Sequence, residues 1–373
     1  MIQDQSFDTK PMPTVAIGRR NRWRFWPAVA VAVLVSACSG TGSGSPSAAA
    51  GSPGGASPTA GASAAASPAL AYPEQPINMV VPFDAGGPTD TVTRLIAEPM
   101  KATLGQEVVV QNVAGAGGTL AAGQVAEAAP DGYTVLMHHI GMSTAPSLYA
   151  DLPYDPLVDF KTIGLVTEVP MTIIGRKSFA PNTFQELVDY VKANKDTVGY
   201  AHAGPGAASQ LCGLLFMGAI DTKVTEVPYS GTGPAMDDIL GDQEGVDFMC
   251  DQTTNTTKRI QGGEVKAYAI TSPERNDALP DVPTTTEGGL PDVQVSVWHG
   301  LYVPKDTPDE IVQALSDALK AALKDQNVID KFLALGTTPV AEDQATPDAH
   351  RTKLESEIQL WKPIIEAAGV SVP

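Results

Sequence analysis

VVPFDAGGPTDTVTRLIAEPM, residues 80–100, reads as an apolar run, a turn of glycines and then a helical pattern. Val92, Leu95, Ile96 and Met100 fall on one face at helical spacing. A glycine turn that feeds a helix can hold an anion on bare backbone N–H groups. Phosphate fits this turn poorly: no GxxxxGK[ST] pattern supplies a lysine, and Asp90 in the first helical turn repels a dianion. Asp90 is placed instead to stabilise the helix N-terminus and to tie down the loop's own amides. A singly charged carboxylate, held by amides and a hydroxyl such as that of Thr89, is easier to accommodate.

Around this stretch, strand-like and helix-like segments alternate. INMVVPF, EVVVQNV and YTVLMHH read as strands, with GAGGTLAAGQVAEAAP as a helix between the last two, which implies parallel strands joined by helices. GAGGTL lacks the third glycine of a dinucleotide fingerprint and reads as a tight strand-to-helix turn. MTIIGRK and TVGYAHAG are strands flanking the helix FQELVDYVKAN, and SQLCGLLFMGAI is a buried helix. VTEVPY opens into SGTGPAMDDILG, another strand-to-helix turn, and VDFMCDQ and VKAYAIT continue the sheet. A strand and a long amphipathic helix in GLYVPKDTPDEIVQALSDALKAALKD precede a terminal helix in DAHRTKLESEIQLWKPIIEAAGV. No repeat of fixed period points to a solenoid.

A second loop, AHAGPGAASQL (residues 201–211), offers the chemistry of the first. Its glycines let N–H groups approach a ligand, and the helix that follows points its positive end at them. Two such loops on different lobes, facing across a cleft, would clamp a carboxylate from both sides. Catalytic patterns are not found: Ser209 and Ser230 sit in no GxSxG elbow, and His138, His139, His202, His299 and His350 show no HExxH or ligand spacing. No catalytic residue, metal or cofactor is therefore expected. His202 and His299 lie beside cleft segments and could donate to a ligand, while Asp251 and Gln252, at a strand end, either orient a ligand or cap a helix.

The N-terminus is set apart from this body. Arg19, Arg20, Arg22 and Arg24 precede an apolar stretch that ends in Val35, Ser36, Ala37 and Cys38, so residues 1–37 read as an export signal. Those last four residues resemble the bacterial lipobox, which makes Cys38 the site of lipidation; the alternative is an ordinary signal with an incidental cysteine. Residues 38–71 are almost entirely Gly, Ser, Ala, Pro and Thr, a composition that cannot offset its chain entropy and makes a flexible tether. Removing residues 1–37 takes five of the 24 basic and two of the 42 acidic residues, leaving a formal charge of −21. That field disfavours nucleic acid as a partner. The remaining length suggests two lobes in a monomer. In an exported chain Cys212 and Cys250 are expected to form a disulfide; two buried thiols or a metal pair are the rival readings.

PFDAGGPTD, VVVQNVAGAGGTLAAGQVAEAAPDGYTVL, LPYDPLVDF, VPYSGTGPAMDDILG, LPDVPTTTEGGLPDV and LGTTPV follow one another in an order that resembles the extracytoplasmic solute receptors of tripartite tricarboxylate transporters, the Bug family. The resemblance runs from about Tyr72 to Pro373. It implies an α/β periplasmic binding protein of type II, a Venus-flytrap in which each lobe is a mixed sheet flanked by helices and two crossover strands form the hinge. Lobe one would be residues 72–169 plus 300–373, and lobe two residues 170–299. A ligand carboxylate would be held by Phe83, Ala85, Gly86, Gly87, Thr89 and Asp90 of the first loop. The second loop would contribute Gly204, Gly206, Ala207, Ala208 and Ser209. Here the family pattern GxGSxxHL is GPGAASQL, with Ala207 for the serine and Gln210 for the histidine, so the backbone donors remain while those two side-chain contacts are not carried over. Cys212 and Cys250 stand outside the family pattern, and Trp298 or His299, in VWHG, would either shape the pocket wall or pack in the core. The implied function is capture of a di- or tricarboxylate, or an aromatic acid such as terephthalate, for delivery to membrane transporter subunits at the outer face of the membrane. A sensor domain with the same pocket, or an α/β enzyme, are the alternatives.

Overall fold

The computed structural model describes residues 71–372; the expectations for the export signal, for Cys38 and for the tether up to residue 70 fall outside them. The first half opens with β1 (Ile77–Val81), α1 (Pro88–Leu104), β2 (Val108–Asn112), α2 (Thr119–Ala126), β3 (Thr134–His139) and α3 (Gly141–Leu148). β1 pairs in parallel with both β2 and β3, as strands joined by helices require. The helix expected over GAGGTLAAGQVAEAAP is shorter: Ala116–Gly118 form a separate 3-10 turn, because Gly117 and Gly118 take positive φ angles that an α-helix cannot contain.

β4 (Phe160–Gly175) is a single strand of 16 residues and the structural link between the halves. After it come α4 (Phe184–Ala193), β5 (Gly199–His202), α5 (Ala208–Ala219), β6 (Thr225–Pro228), α6 (Thr232–Leu240), β7 (Phe248–Gln252), α7 (Thr253–Gln261) and β8 (Lys266–Ile270). The chain returns through β9 (Ser296–Pro304) and ends in α8 (Asp309–Lys324), α9 (Gln326–Ala334) and α10 (Pro347–Ala368). The strand order is β2-β1-β3-β9-β4-β7-β5-β6, with β8 paired to β4 off that path. β4 is antiparallel to β9 from Phe160 to Pro170, then changes partners, pairing with β7 from Met171 and with β8 from Thr172. The partner change falls within one continuous backbone.

Strand alternation sorts the side chains into two layers of core. Met79 of β1, Val135 and Met137 of β3 and Leu301 and Val303 of β9 pack with α1, α8 and α9 through Val92, Ile96, Leu315, Leu319 and Phe332. Val80, Leu136 and Tyr302, on the opposite face, join a cluster that includes Val125 of α2, Leu148 of α3 and Leu354 of α10. With helices on both faces, the strands read as near-continuous apolar runs. Burying each large side chain contributes roughly 1.5–3 kcal/mol.

Candidate functional site

The loop between β1 and α1 is held by Asp90. Its Oδ2 accepts from the Gly86 N–H at 3.0 Å and from Arg94 Nε at 2.9 Å, and its Oδ1 from Asn112 Nδ2 at 3.1 Å. Asn112 Nδ2 also donates to the Phe83 carbonyl at 2.9 Å. Burial alone would raise the carboxyl's pKa, but the hydrogen bonds from Arg94, Gly86 and Asn112 outweigh it and hold the group below its ordinary range. Asp90 therefore fixes the loop's shape, and its charge is already engaged by protein. Asp90→Ala is expected to leave Gly86 N–H without its acceptor, to lower stability by about 2 kcal/mol and to weaken carboxylate binding about tenfold. Denaturant unfolding and calorimetric titration measure the two effects; unchanged affinity in a folded variant removes Asp90 from the site.

The second loop, between β5 and α5, is organised in the same manner. His202 Nδ1 accepts from the Gly204 N–H at 3.1 Å, Gln210 Oε1 from the Gly206 N–H at 2.8 Å, and Ser209 Oγ from the Ala203 N–H at 2.9 Å. The glycine amides are thus occupied in both loops: Gly86, Gly204 and Gly206 give their N–H groups to the protein's own side chains and not to a guest. Ser209 accepts through Oγ, so its hydroxyl proton remains available. Gln210 secures the loop, and its Nε2 reaches Glu226 Oε2 at 3.3 Å.

The unoccupied donors are those of helix first turns. α1, α5, α6 and α7 all begin without a side-chain cap. By contrast, α4, α9 and α10 are capped by Thr183, Asp325 and Thr346. α2, α3 and α8 also lack such a cap, but it is the starts of α1, α5, α6 and α7 that line one cleft, whose empty space with the open solvent at its mouth is about 270 Å³: Pro88 and Thr89 for α1, Ala207, Ala208 and Ser209 for α5, Thr232 for α6, and Asp251 and Gln252 ahead of α7. Phe83, His139 and Ala203 complete the wall. Each helix start carries roughly half a positive charge, so four of them make an anion site without a cationic side chain.

Among the residues expected at the site, Phe83, Thr89, Ala207, Ala208, Ser209 and Asp251 line this cavity. Ala85, Gly86 and Gly87 shape the approach to it, with Gly87 against Gly233 of α6. Trp298 does not reach it: alternation along β9 turns Trp298 into the core, edge-on to His350, while His299 faces the other way and lies 3.3 Å from Thr89 Oγ1. His202 braces its loop and faces Glu226 at 3.4 Å instead of the cavity. His139, Thr232 and Pro88 are additional lining residues. Thr232 was legible only as a third glycine turn before a helix, and His139 as the polar end of an apolar strand.

His139 has a defined role for its ring. Nδ1 accepts from the Gly141 N–H at 2.9 Å, which places the proton of the neutral ring on Nε2 as a donor. Burial, then the neighbouring His138 and His299, hold His139 well below its ordinary pKa, and burial pulls His138 to about 4 and His299 to about 3. Neutral rings supply directed hydrogen bonds without charge. Burial pushes Asp251 up to about 6. No group of three His, Cys, Asp or Glu among the described residues is arranged to hold a metal ion.

The two halves touch around the cavity. Tyr149 Oη lies 2.7 Å from the Ala116 carbonyl and 2.9 Å from the Pro205 carbonyl, on opposite sides of the cleft. Thr144 Oγ1 donates to the Gly206 carbonyl at 3.2 Å, and Ser230 Oγ to Asp84. Gly117 meets Pro205 so closely that a Cβ there would lie 1.9 Å from the carbonyl oxygen. A disulfide joins Cys212 of α5 to Cys250 of β7, with Cα atoms 6.1 Å apart, so it binds the second loop's helix to the strand that carries Asp251.

The family described as tripartite tricarboxylate transporter family receptor matches residues 92–370. Among curated relatives, a protein of Agrobacterium vitis named for the TAR-I ttuE-ttuC' intergenic region is 54% identical over 298 residues, covering 80% of this chain and 86% of its own. Among solved structures, the periplasmic binding protein BugD is 49% identical with a TM-score of 0.78, over 80% of this chain and 99% of that one. MatC from Rhodopseudomonas palustris, solved with bound malate, is 41% identical with a TM-score of 0.76, over 79% of this chain and all of that one (100%).

Proposed function

The chain belongs to the tripartite tricarboxylate transporter receptor family, a family of receptors and not of enzymes, and on that premise we propose that it captures a small organic carboxylate and delivers it to a membrane transporter. The observation that carries this reading is the convergence of four uncapped helix N-termini on one cavity that no lysine or arginine lines. The bound malate of MatC favours a ligand of that size and charge. The lobes are residues 72–169 with 300–373, and residues 170–299, and they hinge where β4 changes partners near Pro170. The closed form binds the guest better than the open form, so binding shifts the population toward closure. The protein acts outside the cytoplasm as a monomer, exported by residues 1–37 and held at the outer face of the membrane by lipid on Cys38, with residues 38–71 as the tether.

Thermal unfolding with a panel of malate, succinate, citrate, adipate and terephthalate, each recovered and identified afterwards, tests this. At ligand a hundred times above Kd the stabilisation is about 2.7 kcal/mol, enough to read as a shift of a few degrees. A rise with at least one acid, returned unchanged, is expected. No rise with any acid, or chemical conversion of one, overturns the reading.

A further inference from the structure

Asp251 is a carboxylate in a cavity otherwise built to attract negative charge. It is 1% exposed, lines the cavity from the end of β7, and has no lysine or arginine beside it among the lining residues. Asn255 Nδ2 donates to its Oδ2 at 2.7 Å, and the Thr232 hydroxyl and Gln252 N–H flank it. The cations on the elements packed around it face elsewhere: Arg94 of α1 pairs with Asp90, Arg259 of α7 with Glu264, Lys258 lies in the last turn of α7, and His202 of β5 faces Glu226. His139 of β3 is neutral, Tyr200 of β5 is a phenol, and Glu226 of β6 is a second carboxylate engaged by Gln210. A buried carboxylate without a cationic partner is costly to keep. Two carboxylates in one small cavity repel unless something on the guest lies between them.

Resting on the receptor reading above, we propose that Asp251 selects acids that carry an O–H or N–H donor on the carbon beside a carboxylate, as hydroxy and amino acids do, over acids with bare methylenes there. The guest's carboxylate takes the N–H groups at the starts of α1 and α5. Its hydroxyl or ammonium then faces Asp251 and completes a hydrogen-bond set that neutral protein donors leave short. A hydrogen bond of this kind is charge-assisted, and its loss on truncating the donor is larger than for a neutral pair. A donor on the guest favours the ionised carboxylate, so binding near pH 6, where Asp251 titrates, releases a proton.

Isothermal titration of the intact mature protein with malate, aspartate and succinate tests the proposal, and comparing malate with aspartate separates hydroxyl from ammonium. Malate or aspartate is expected to bind at least about tenfold more tightly than succinate. Asp251→Asn is expected to shrink that ratio to about threefold or less, weakening the favoured acid and strengthening succinate. Titrations near pH 6 in buffers of different ionisation enthalpy are expected to report proton release. These wild-type measurements decide the matter even if the variant folds poorly. Succinate binding as tightly as both others, or proton uptake on binding, overturns the role of Asp251 and leaves the receptor reading intact; no binding of any of the three acids also overturns it, and the receptor reading falls with it only if citrate, adipate and terephthalate fail to bind as well.

Discussion

Replacing Gly117 with alanine is expected to lower carboxylate affinity about a hundredfold, or about 2.8 kcal/mol, in a protein that still folds. Gly117 sits at φ +61° in the turn before α2, and a Cβ there would lie 1.9 Å from the Pro205 carbonyl oxygen and 2.9 Å from Tyr149 Oη. The first contact is impossible, and it spans the cleft, so the halves relieve it by separating. The left-handed backbone adds about 1 kcal/mol for an alanine, a cost common to the open and closed forms. On the proposed hinge motion, affinity suffers more than stability because the contact of Pro205 with Gly117 belongs to the closed form. Titration calorimetry reads the affinity, and small-angle scattering reads whether ligand still compacts the variant. Affinity within threefold of the parent would mean that closure is not what holds the ligand.

Loss of the Cys212–Cys250 disulfide is expected to destabilise the protein by about 4 kcal/mol, the loop-closure entropy for a separation of 38 residues. Both cysteines are buried, so a double serine variant also places two hydroxyls in the core. A double alanine variant isolates the crosslink more cleanly. Denaturant unfolding with and without reductant measures the difference in the wild-type protein. The bridge fastens α5, whose first turn lines the cavity, to β7, which ends in Asp251, so its loss also loosens the geometry of the second loop. A change below 1 kcal/mol on reduction, or free thiols in the exported protein, contradicts this account.

How far the sequence revealed the site is best judged at individual residues. Thr89 and Asp90 were readable because a glycine turn, a proline and an acid in succession mark a helix start. The parallel strands β1, β2 and β3 were readable from apolar runs separated by helices. The fate of the glycine amides was not: whether Gly204 and Gly206 offer N–H groups to a ligand depends on where His202 and Gln210 turn, which spacing along the chain does not fix. The choice between Trp298 and His299 was equally closed to inspection. Adjacent strand residues face opposite sides, and only the sheet's packing tells which side is the cleft. α7 carries no clear helix signal in the sequence because TTNTTKRIQ is rich in threonine, a poor helix former, and its helix is set by burial of Thr253, Thr256 and Thr257 against β4 and the loop at Gly336. Only the part of β4 from residue 171 onward is legible as a strand, since its first part carries Lys161, Thr162, Thr167 and Glu168 among the apolar positions and lacks a clean period.

The central claim is that peptide dipoles from opposite halves of the molecule neutralise the guest acid. A crystal structure with malate tests it most directly. The account predicts carboxylate oxygens within about 3.2 Å of N–H groups at the start of α1, at Thr89 or Asp90, and at the start of α5, at Ala208 or Ser209, with no lysine, arginine or metal ion in contact. A carboxylate bound by a cationic side chain, or seated away from both helix starts, would contradict it.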